Sequence, residues 1–448
     1  MTSLNDLHHV HKKTASGISV YIMDTWAVID SEAEAMLQAL HSRSTWGFER
    51  HLEVLAEKGA DNFMSKFYVG YGHKSIGDCG SITLFIEGVS MLGAKAIQDT
   101  KLYNGQEAST RYIDFSQQPI LNPLWIEKGT KLQEKQRAFY LSLLDPLEEY
   151  IKQQYPCPEG TNPWVYDKTI KAKVFDITRW FLPAGCSTNL ARHTTLRQVA
   201  DRVLQLRHHP QPETVEVANT ILEAVLERYP NSFSDKKYEE TETYLDKARQ
   251  SYYYHNPDLK KFLVLYDTIN RPQLEKYREV FDERPNNKTE LPTYLDLIGT
   301  VTVEFLLDYG SFRDLQRHRA PYQRMPLLTT ELWFNEWYLT SLSPELKNLA
   351  LQHLEEVKKE IHSLNLTKEQ KQYYTPMWYN VSCQMIGTIP AMVYIAELRS
   401  STYVHPTLRQ IAITLGTYLQ QHHGIKLFLD TQPDQFDTRR GQQDIALK

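Results

Sequence analysis

Two sequence blocks occur twice along this chain of 448 residues, in the same order each time. The first is SITLFIEGVSMLGAKAIQDT (81–100), which matches TVTVEFLLDYGSFRDLQRHR (300–319) without gaps. Both begin with an apolar run typical of a strand and continue with apolar spacing typical of a helix. The alignment places QDT at the end of the first stretch opposite RHR at the end of the second. The two copies therefore share a local pattern but carry different polar residues.

The second block spans 181–221 in the first half and 374–415 in the second half, and a proline and a Leu-Arg pair recur in both. Chance similarity between amphipathic segments is the alternative, but it would not preserve the order and spacing of two blocks. The sequence predicts two tandem units, 1–240 and 241–448, each of ordinary domain size, joined near the charge-rich stretch 229–250. The expected fold class is α+β, helix-rich, with a small antiparallel or mixed sheet in each unit.

Composition excludes several classes of protein. Charged residues make up 23% of the chain, and the formal net charge is −5. The chain therefore lacks the overall positive charge that is typical of proteins that bind nucleic acids. The four cysteines are scattered without the spacing of zinc ligands, as expected for free thiols in a reducing compartment. No apolar run is long enough to span a bilayer, and the N-terminal residues lack the apolar core of a secretory signal. We expect a cytoplasmic protein without a metal site.

Arg313, Arg317, His318, Arg319 and Arg324 lie within twelve positions, in a chain whose net charge is negative. One interpretation is that they complement the negative end of a helix that begins near Asp308 and has its last turn here. The other is that their forked donors bind a pyrophosphate or the edge of a flavin. The residues alone leave both interpretations open.

The first copy carries a different set, NGQEASTRY, with Glu107, Ser109, Arg111 and Tyr112 in close succession. A guanidinium and a hydroxyl suit a phosphate, and a carboxylate suits the donors of a sugar or base. The alternative is a polar turn with a local Glu–Arg pair.

Five segments, GHKSIG, FIEGVS, EASTRY, RWFLP and LQLR, together resemble the flavin-dependent thymidylate synthase (ThyX) family in their order. The family signature is RHRxxSxNExSxRY, followed by an RxxLP element and later by LR and a His. The second copy keeps RHR but continues with APYQRMPLLT, whereas the first keeps ExSxRY and has lost RHR. The resemblance implies one set of functional parts divided between the two units, as in a built-in heterodimer.

In this family FAD and dUMP are held where subunits meet. The resemblance implies that the flavin contacts His73, Ser75, Arg317, His318, Arg319 and His405. It implies that the nucleotide contacts Glu107, Ser109, Arg111, Tyr112 and Arg179. Arg207, or its counterpart Arg399 in the second copy, would stabilise the charge that develops on the pyrimidine oxygen. No protein nucleophile is implied.

The implied function is methylation at C5 of dUMP or a related pyrimidine nucleotide, with FAD as cofactor and methylenetetrahydrofolate and NADPH as co-substrates. The changed residues after RHR keep two alternatives open: a flavoprotein that acts on another nucleotide or one-carbon reaction, and a non-catalytic nucleotide-binding homologue. Because the family forms homotetramers, a duplicated chain would form a homodimer with pseudo-tetrameric symmetry. No nucleic-acid or membrane partner is expected.

Overall fold

The computed structural model describes residues 9–23, 30–41, 48–70, 74–108, 110, 115–286 and 289–433. The chain forms two compact units: unit 1 comprises 1–109 and 186–252, and unit 2 comprises 110–185 and 253–448. Each unit combines helices with a small antiparallel sheet, so the predicted α+β class is confirmed. The domain boundary at residue 240 stays a prediction.

Helices and strands cover most of the described chain. In order, the first half contains β1 His9–Lys13, β2 Ser19–Met23, α1 Ser31–His41, α2 Phe48–Lys58, α3 Asp61–Phe63, a π-helical turn Met64–Gly70, α4 Lys74–Gly77, β3 Ser81–Ser90, α5 Met91–Gln98, β4 Asn104–Glu107, α6 Glu127–Gln154, α7 Pro163–Thr178, a 3-10 turn Arg179–Phe181, β5 Ser187–Thr195, α8 Leu196–Leu206, α9 Pro212–Arg228 and α10 Glu239–Arg249. The second half contains β6 Tyr253–Tyr254, β7 Leu263–Asp267, α11 Arg271–Lys276, α12 Arg278–Asp282, a 3-10 turn Thr293–Ile298, β8 Thr300–Asp308, α13 Tyr309–Leu315, β9 Tyr322–Gln323, β10 Met325–Pro326, α14 Trp337–Thr340, α15 Pro344–Ser363, α16 Lys368–Lys371, a 3-10 turn Gln372–Tyr374, β11 Asn380–Thr388, α17 Ile389–Arg399 and α18 Pro406–His423.

The sheet of unit 1 has five antiparallel strands in the order β1-β2-β3-β5-β4. Its central pair places Leu84 opposite Arg192, and the register shifts between Ile86 and Val89. Gly88 lies in this bulge with a φ of 76°, a backbone conformation that side chains with a Cβ rarely adopt.

The sheet of unit 2 has four antiparallel strands in the order β7-β8-β11-β9. Its central pair places Val303 opposite Met385. A short parallel pair, β6 with β10, lies outside this sheet. Most positions of β8 are buried, which agrees with the apolar run that the sequence shows there.

The two sheets contain matching strand–helix segments. In unit 1, β3 leads into α5 and β5 leads into α8; in unit 2, β8 leads into α13 and β11 leads into α17. The strand-to-helix change predicted for both copies of the first block is therefore confirmed. The matching strands and helices support the tandem duplication, which stays a prediction.

The two aligned prolines meet in unit 2. Pro183 and Pro376 form an antiparallel bridge. The backbone N–H of Ala184 donates to Thr375 O, and that of Met377 donates to Leu182 O, both at 3.0 Å. Because each bond is the symmetric counterpart of the other, the two proline segments pair about a local two-fold axis. This pairing fixes the 3-10 turn that begins at Arg179.

Helix α13 ends earlier than expected. Asp308 caps its N-terminus, accepting from Ser311 N–H at 2.8 Å, and the last helical residue is Leu315. The expectation that RHR occupies the last turn was therefore wrong. The three residues lie in the turn after the helix, because β9 follows within a few residues and pairs with β11.

The charge-rich stretch predicted as the joint contains a helix. α10 belongs to unit 1 and has no buried residue. It is held by polar contacts described below. None of the described helices is long and apolar enough to cross a membrane.

Candidate functional site

Four of the predicted site residues lie outside the described residues: His73, Ser109, Arg111 and Tyr112. Ser75, two residues after His73, is exposed on the short helix α4. The geometry of the predicted site is therefore given by the remaining eight residues.

In the RHR turn of unit 2 the imidazole lies inside the protein. His318 is buried, and its Nε2 accepts a hydrogen bond from Arg399 Nε at 2.7 Å. Burial and the adjacent Arg399 lower the pKa of His318 to about 3. His318 is thus neutral at physiological pH and holds a guanidinium in place as an acceptor.

Arg399, at the end of α17, is fixed on two sides. Besides His318, it donates from Nη2 to the backbone oxygen of Asp314 at 2.9 Å. In the described part of the chain its hydrogen-bond partners are neutral, so no carboxylate in direct contact cancels its charge. Burial lowers its pKa, and the Asp314 carboxylate opposes that shift.

The two arginines of the RHR turn lie nearer to solvent than His318. The Arg317 side chain is 48% exposed, and its Nη1 lies 3.9 Å from Asp314 Oδ1. Arg319 is half-buried. Together with Arg399 they make the end of α13 cationic, which suits an anionic group. The structure therefore brings three predicted residues together: the neutral acceptor His318 and the cations Arg317 and Arg399.

Arg179 and His405 are brought together by a residue that the sequence reasoning missed. Arg179 Nη2 lies 2.7 Å from Asp176 Oδ1, and His405 Nε2 lies 3.2 Å from the Asp176 backbone oxygen. All three residues are buried. Asp176 lies one helical turn before Arg179, so a carboxylate at this spacing was the available signal.

The other ring nitrogen of His405 faces hydroxyl groups. Nδ1 lies 2.8 Å from Thr407 Oγ1 and 3.2 Å from Ser311 Oγ. Burial lowers the pKa of His405, so the ring is neutral at physiological pH. These contacts anchor the N-terminus of α18 against α13. The flavin role of His405 stays a prediction.

In unit 1, Glu107 forms a buried ion pair. Its Oε2 lies 2.5 Å from Lys95 Nζ, with side chains 8% and 1% exposed. The sequence analysis did not assign Lys95 to the site, although a lysine within the apolar helix α5 was a visible signal. Such a pair is strongly coupled, because removing either partner leaves a buried charge uncompensated.

Arg207 is held by α10. Its Nη2 lies 2.8 Å from Glu242 Oε2. The neighbouring His208 contacts Asp246 Oδ1 through Nδ1 at 2.5 Å. A carboxylate thus neutralises Arg207, in contrast to Arg399, which hydrogen-bonds to neutral groups.

Comparison with known proteins identifies the family that this chain resembles. Residues 24–231 match the family described as thymidylate synthase complementing protein. This confirms the ThyX resemblance that the motifs indicated. The matched span includes the ExSxRY motif, Arg179 and Arg207.

Relatives with similarity over most of the chain share one name. A UPF0159 protein of Chlamydia muridarum is 26% identical, with 84% of this chain and 82% of the relative covered. A UPF0159 protein of Chlamydia pneumoniae is 25% identical, covering 81% and 78%. A UPF0159 protein of Thermoplasma acidophilum is 22% identical, covering 84% and 90%. The similarity therefore extends well beyond the family match.

Proposed function

We propose that this chain, which matches the ThyX family over residues 24–231, is a flavin-dependent thymidylate synthase-like enzyme. It would methylate C5 of dUMP or a related pyrimidine nucleotide. The family match carries the proposal, because the matched span contains the residues that the resemblance assigns to the nucleotide. The cationic end of α13, which lies outside that span, supplies the chemistry expected of a flavin site.

The residues at the end of α13 fit the phosphates of FAD. Arg317 is half-exposed and Arg319 is half-buried, so both guanidinium groups can reach a ligand at the surface. Guanidinium groups bind phosphates with two parallel hydrogen bonds. His318 would act by orienting Arg399, because a neutral ring whose Nε2 accepts from Arg399 adds no positive charge. Bound flavin would supply the hydride, and methylenetetrahydrofolate the one-carbon unit.

Arg399 is the better candidate for stabilising charge on the pyrimidine oxygen. A preorganised cation acts most strongly where no carboxylate is hydrogen-bonded to it. Arg207 is paired with Glu242, whereas the hydrogen bonds of Arg399 go to His318 and a backbone oxygen. Arg179 would hold the nucleotide phosphate, with Asp176 fixing its guanidinium.

NADPH as reductant and the homodimer follow from the resemblance, and the cytoplasmic location follows from the composition; all three form part of this proposal. A second function is favoured by one observation: Gln323-Arg324-Met325 stand where the family has an Asn-Glu pair after RHR. A flavoprotein of the same fold acting on another nucleotide would need a different pocket at that place.

The test is an anaerobic reoxidation experiment. The purified protein is loaded with FAD, reduced, and mixed with dUMP, with methylenetetrahydrofolate, or with both. The proposal expects reoxidation with both together and formation of dTMP. Flavin that binds but ignores dUMP would support the second function. Protein that takes up no FAD would overturn both.

A further inference from the structure

We propose that unit 1 contains a binding site for a dianionic phosphate group, built by Arg192, Arg202 and Arg249. None of these residues is among those that the ThyX resemblance assigns to flavin or nucleotide. The proposal does not depend on the enzyme activity proposed above.

The first observation is an excess of buried hydrogen-bond donors. Arg192 is 3% exposed and Arg202 is 4% exposed. Within the described residues, Nε and Nη2 of Arg192 and Nε of Arg202 have no hydrogen-bond acceptor. Buried guanidinium groups are normally paired, because removing a charge from water without a partner is costly. Three such donors at one place indicate a missing acceptor.

Both guanidinium groups meet at the C-terminal end of α5. Arg192 Nη1 donates to Ile97 O at 2.9 Å, and Arg202 Nη2 donates to Ala96 O. A simpler interpretation is that the arginines only cap this helix. The end of a helix, however, carries about half a negative charge, which does not balance two buried cations.

A third cation comes from α10. Gln205 Oε1 accepts from Arg202 Nη1 at 3.0 Å and from Arg249 Nη2 at 2.9 Å, so one amide oxygen joins the two side chains. Burial and the nearby Arg202 lower the pKa of Arg192 to about 9. Burial, Arg202 and Arg249 lower the pKa of His209 well below its ordinary value. These shifts agree with a positive field inside unit 1.

Unit 2 shows that the fold does not require this cation. Arg192 lies opposite Leu84 in the central strand pair of unit 1, and Met385 lies opposite Val303 at the matching place in unit 2. Met385 is 1% exposed and packs as an apolar residue. A buried methionine therefore satisfies the same strand position, and the arginine has a role other than packing.

The chemistry of the cluster selects the ligand. Forked donors from several arginines match the oxygen atoms of a phosphate, and a charge near −2 offsets the buried excess. A nucleoside monophosphate and free inorganic phosphate both present this group. The experiment therefore includes both, and deoxyuridine serves as the probe without phosphate.

The test uses the full chain after dialysis into a phosphate-free buffer. Its melting temperature is followed against inorganic phosphate, dUMP and deoxyuridine, for the wild type, Arg192→Met and Arg197→Met. Arg197 lies on α8, where it contacts Asp78 and Asp201, and is a matched control outside the cluster. We expect phosphate and dUMP, but not deoxyuridine, to raise the wild-type melting temperature. Arg192→Met should weaken the response to inorganic phosphate about tenfold or more, and Arg197→Met should preserve it.

A second readout separates a binding site from a helix cap. Without phosphate, Arg192→Met should melt no lower than the wild type, because it removes a buried charge whose hydrogen bonds are only partly made. A variant that melts lower in phosphate-free buffer and keeps the wild-type response to phosphate would overturn the proposal. So would a wild type that responds to neither phosphate nor dUMP. If Arg192→Met does not fold, Arg202→Gln is measured by equilibrium dialysis with labelled phosphate, and unchanged binding would overturn the proposal.

The arms also identify the source of the ligand. A dUMP response that Arg192→Met weakens would indicate a nucleotide at this site. A dUMP response that Arg192→Met leaves unchanged, together with a weakened response to inorganic phosphate, would indicate free phosphate. Failure of the flavin experiment would leave these results unaffected, so the two proposals can fail separately.

Discussion

The segment β5–α8 of unit 1 and the segment β11–α17 of unit 2 share one backbone plan but differ in their interiors. The strand of unit 1 buries Arg192 where that of unit 2 buries Met385. The helix of unit 1 is followed by Arg207, which pairs with a carboxylate, whereas that of unit 2 ends in Arg399, which hydrogen-bonds to a neutral imidazole. One fold thus accommodates two placements of positive charge.

The largest effect is expected at the buried ion pair of unit 1. The repeated blocks align Lys95 with Asp314, which is half-exposed in unit 2. Glu107→Ala leaves Lys95 buried without its carboxylate and should cost about 3–5 kcal/mol of unfolding free energy in urea titrations. Asp314→Ala, the control at an exposed pair, should cost less than about 1 kcal/mol. Similar losses of unfolding free energy in both variants would show that the buried Lys95–Glu107 pair contributes no more to stability than the exposed pair of Asp314.

The catalytic contrast between the two Leu-Arg arginines comes next. Arg399→Ala should slow dUMP-dependent flavin reoxidation by about 100-fold or more, as expected for the loss of a preorganised donor to a developing negative charge. Arg207→Ala should have a much smaller effect, because Glu242 already neutralises that side chain. The measurement is the single-turnover rate at saturating dUMP. The reverse order of effects would assign the catalytic role to unit 1.

A pH titration tests the buried imidazole of unit 2. His318 keeps a pKa of about 3 when folded, whereas an unfolded histidine titrates near about 6.5. The unfolded state therefore binds a proton first as pH falls, and stability present above pH 6.5 is lost below it. This residue should contribute about 2 kcal/mol of the loss between pH 7 and pH 5. His318→Gln should reduce the pH dependence of the urea midpoint by that amount, and an unchanged slope would show that His318 is not buried and neutral.

The smallest effect is expected at α10. This helix has no buried residue and is held by polar contacts such as Arg207 with Glu242. Glu242→Gln should change the unfolding free energy by less than about 1 kcal/mol, because the amide oxygen of glutamine can still accept the hydrogen bond from Arg207. Chemical denaturation of this variant beside the wild type gives the value. A loss comparable to that of Glu107→Ala would mean that α10 is structurally essential.

The sequence predicted the elements better than the contacts. Apolar periodicity was sufficient to place β3 before α5 and β8 before α13, because burial on one face determines both patterns. The end of α13 was placed too late, since the pairing of β9 with β11 is a tertiary effect. Turn and helix ends depend on such distant partners, which no local pattern reports.

The roles of single site residues also depend on distant partners that no local sequence pattern reports. Alternation along β5 puts Arg192 on the same face as Leu190, which was the available signal for a buried cation. The partner of Arg399, His318, was itself a predicted site residue, whereas the partner of Arg179, Asp176, was not, and the roles of both follow from burial. The sequence identified residue types that bind anions, and only the packing showed which of them are neutral, paired or in excess.

The most direct test of the central claim is a comparison of two variants in one preparation series. Flavin content, from visible absorbance after FAD loading, and phosphate affinity, from equilibrium dialysis, are measured for the wild type, Arg317→Ala and Arg192→Met. The account predicts that Arg317→Ala loses flavin and keeps phosphate, while Arg192→Met keeps flavin and loses phosphate. Loss of both ligands in either variant, or of neither in both, would contradict a division of anion binding between the two units.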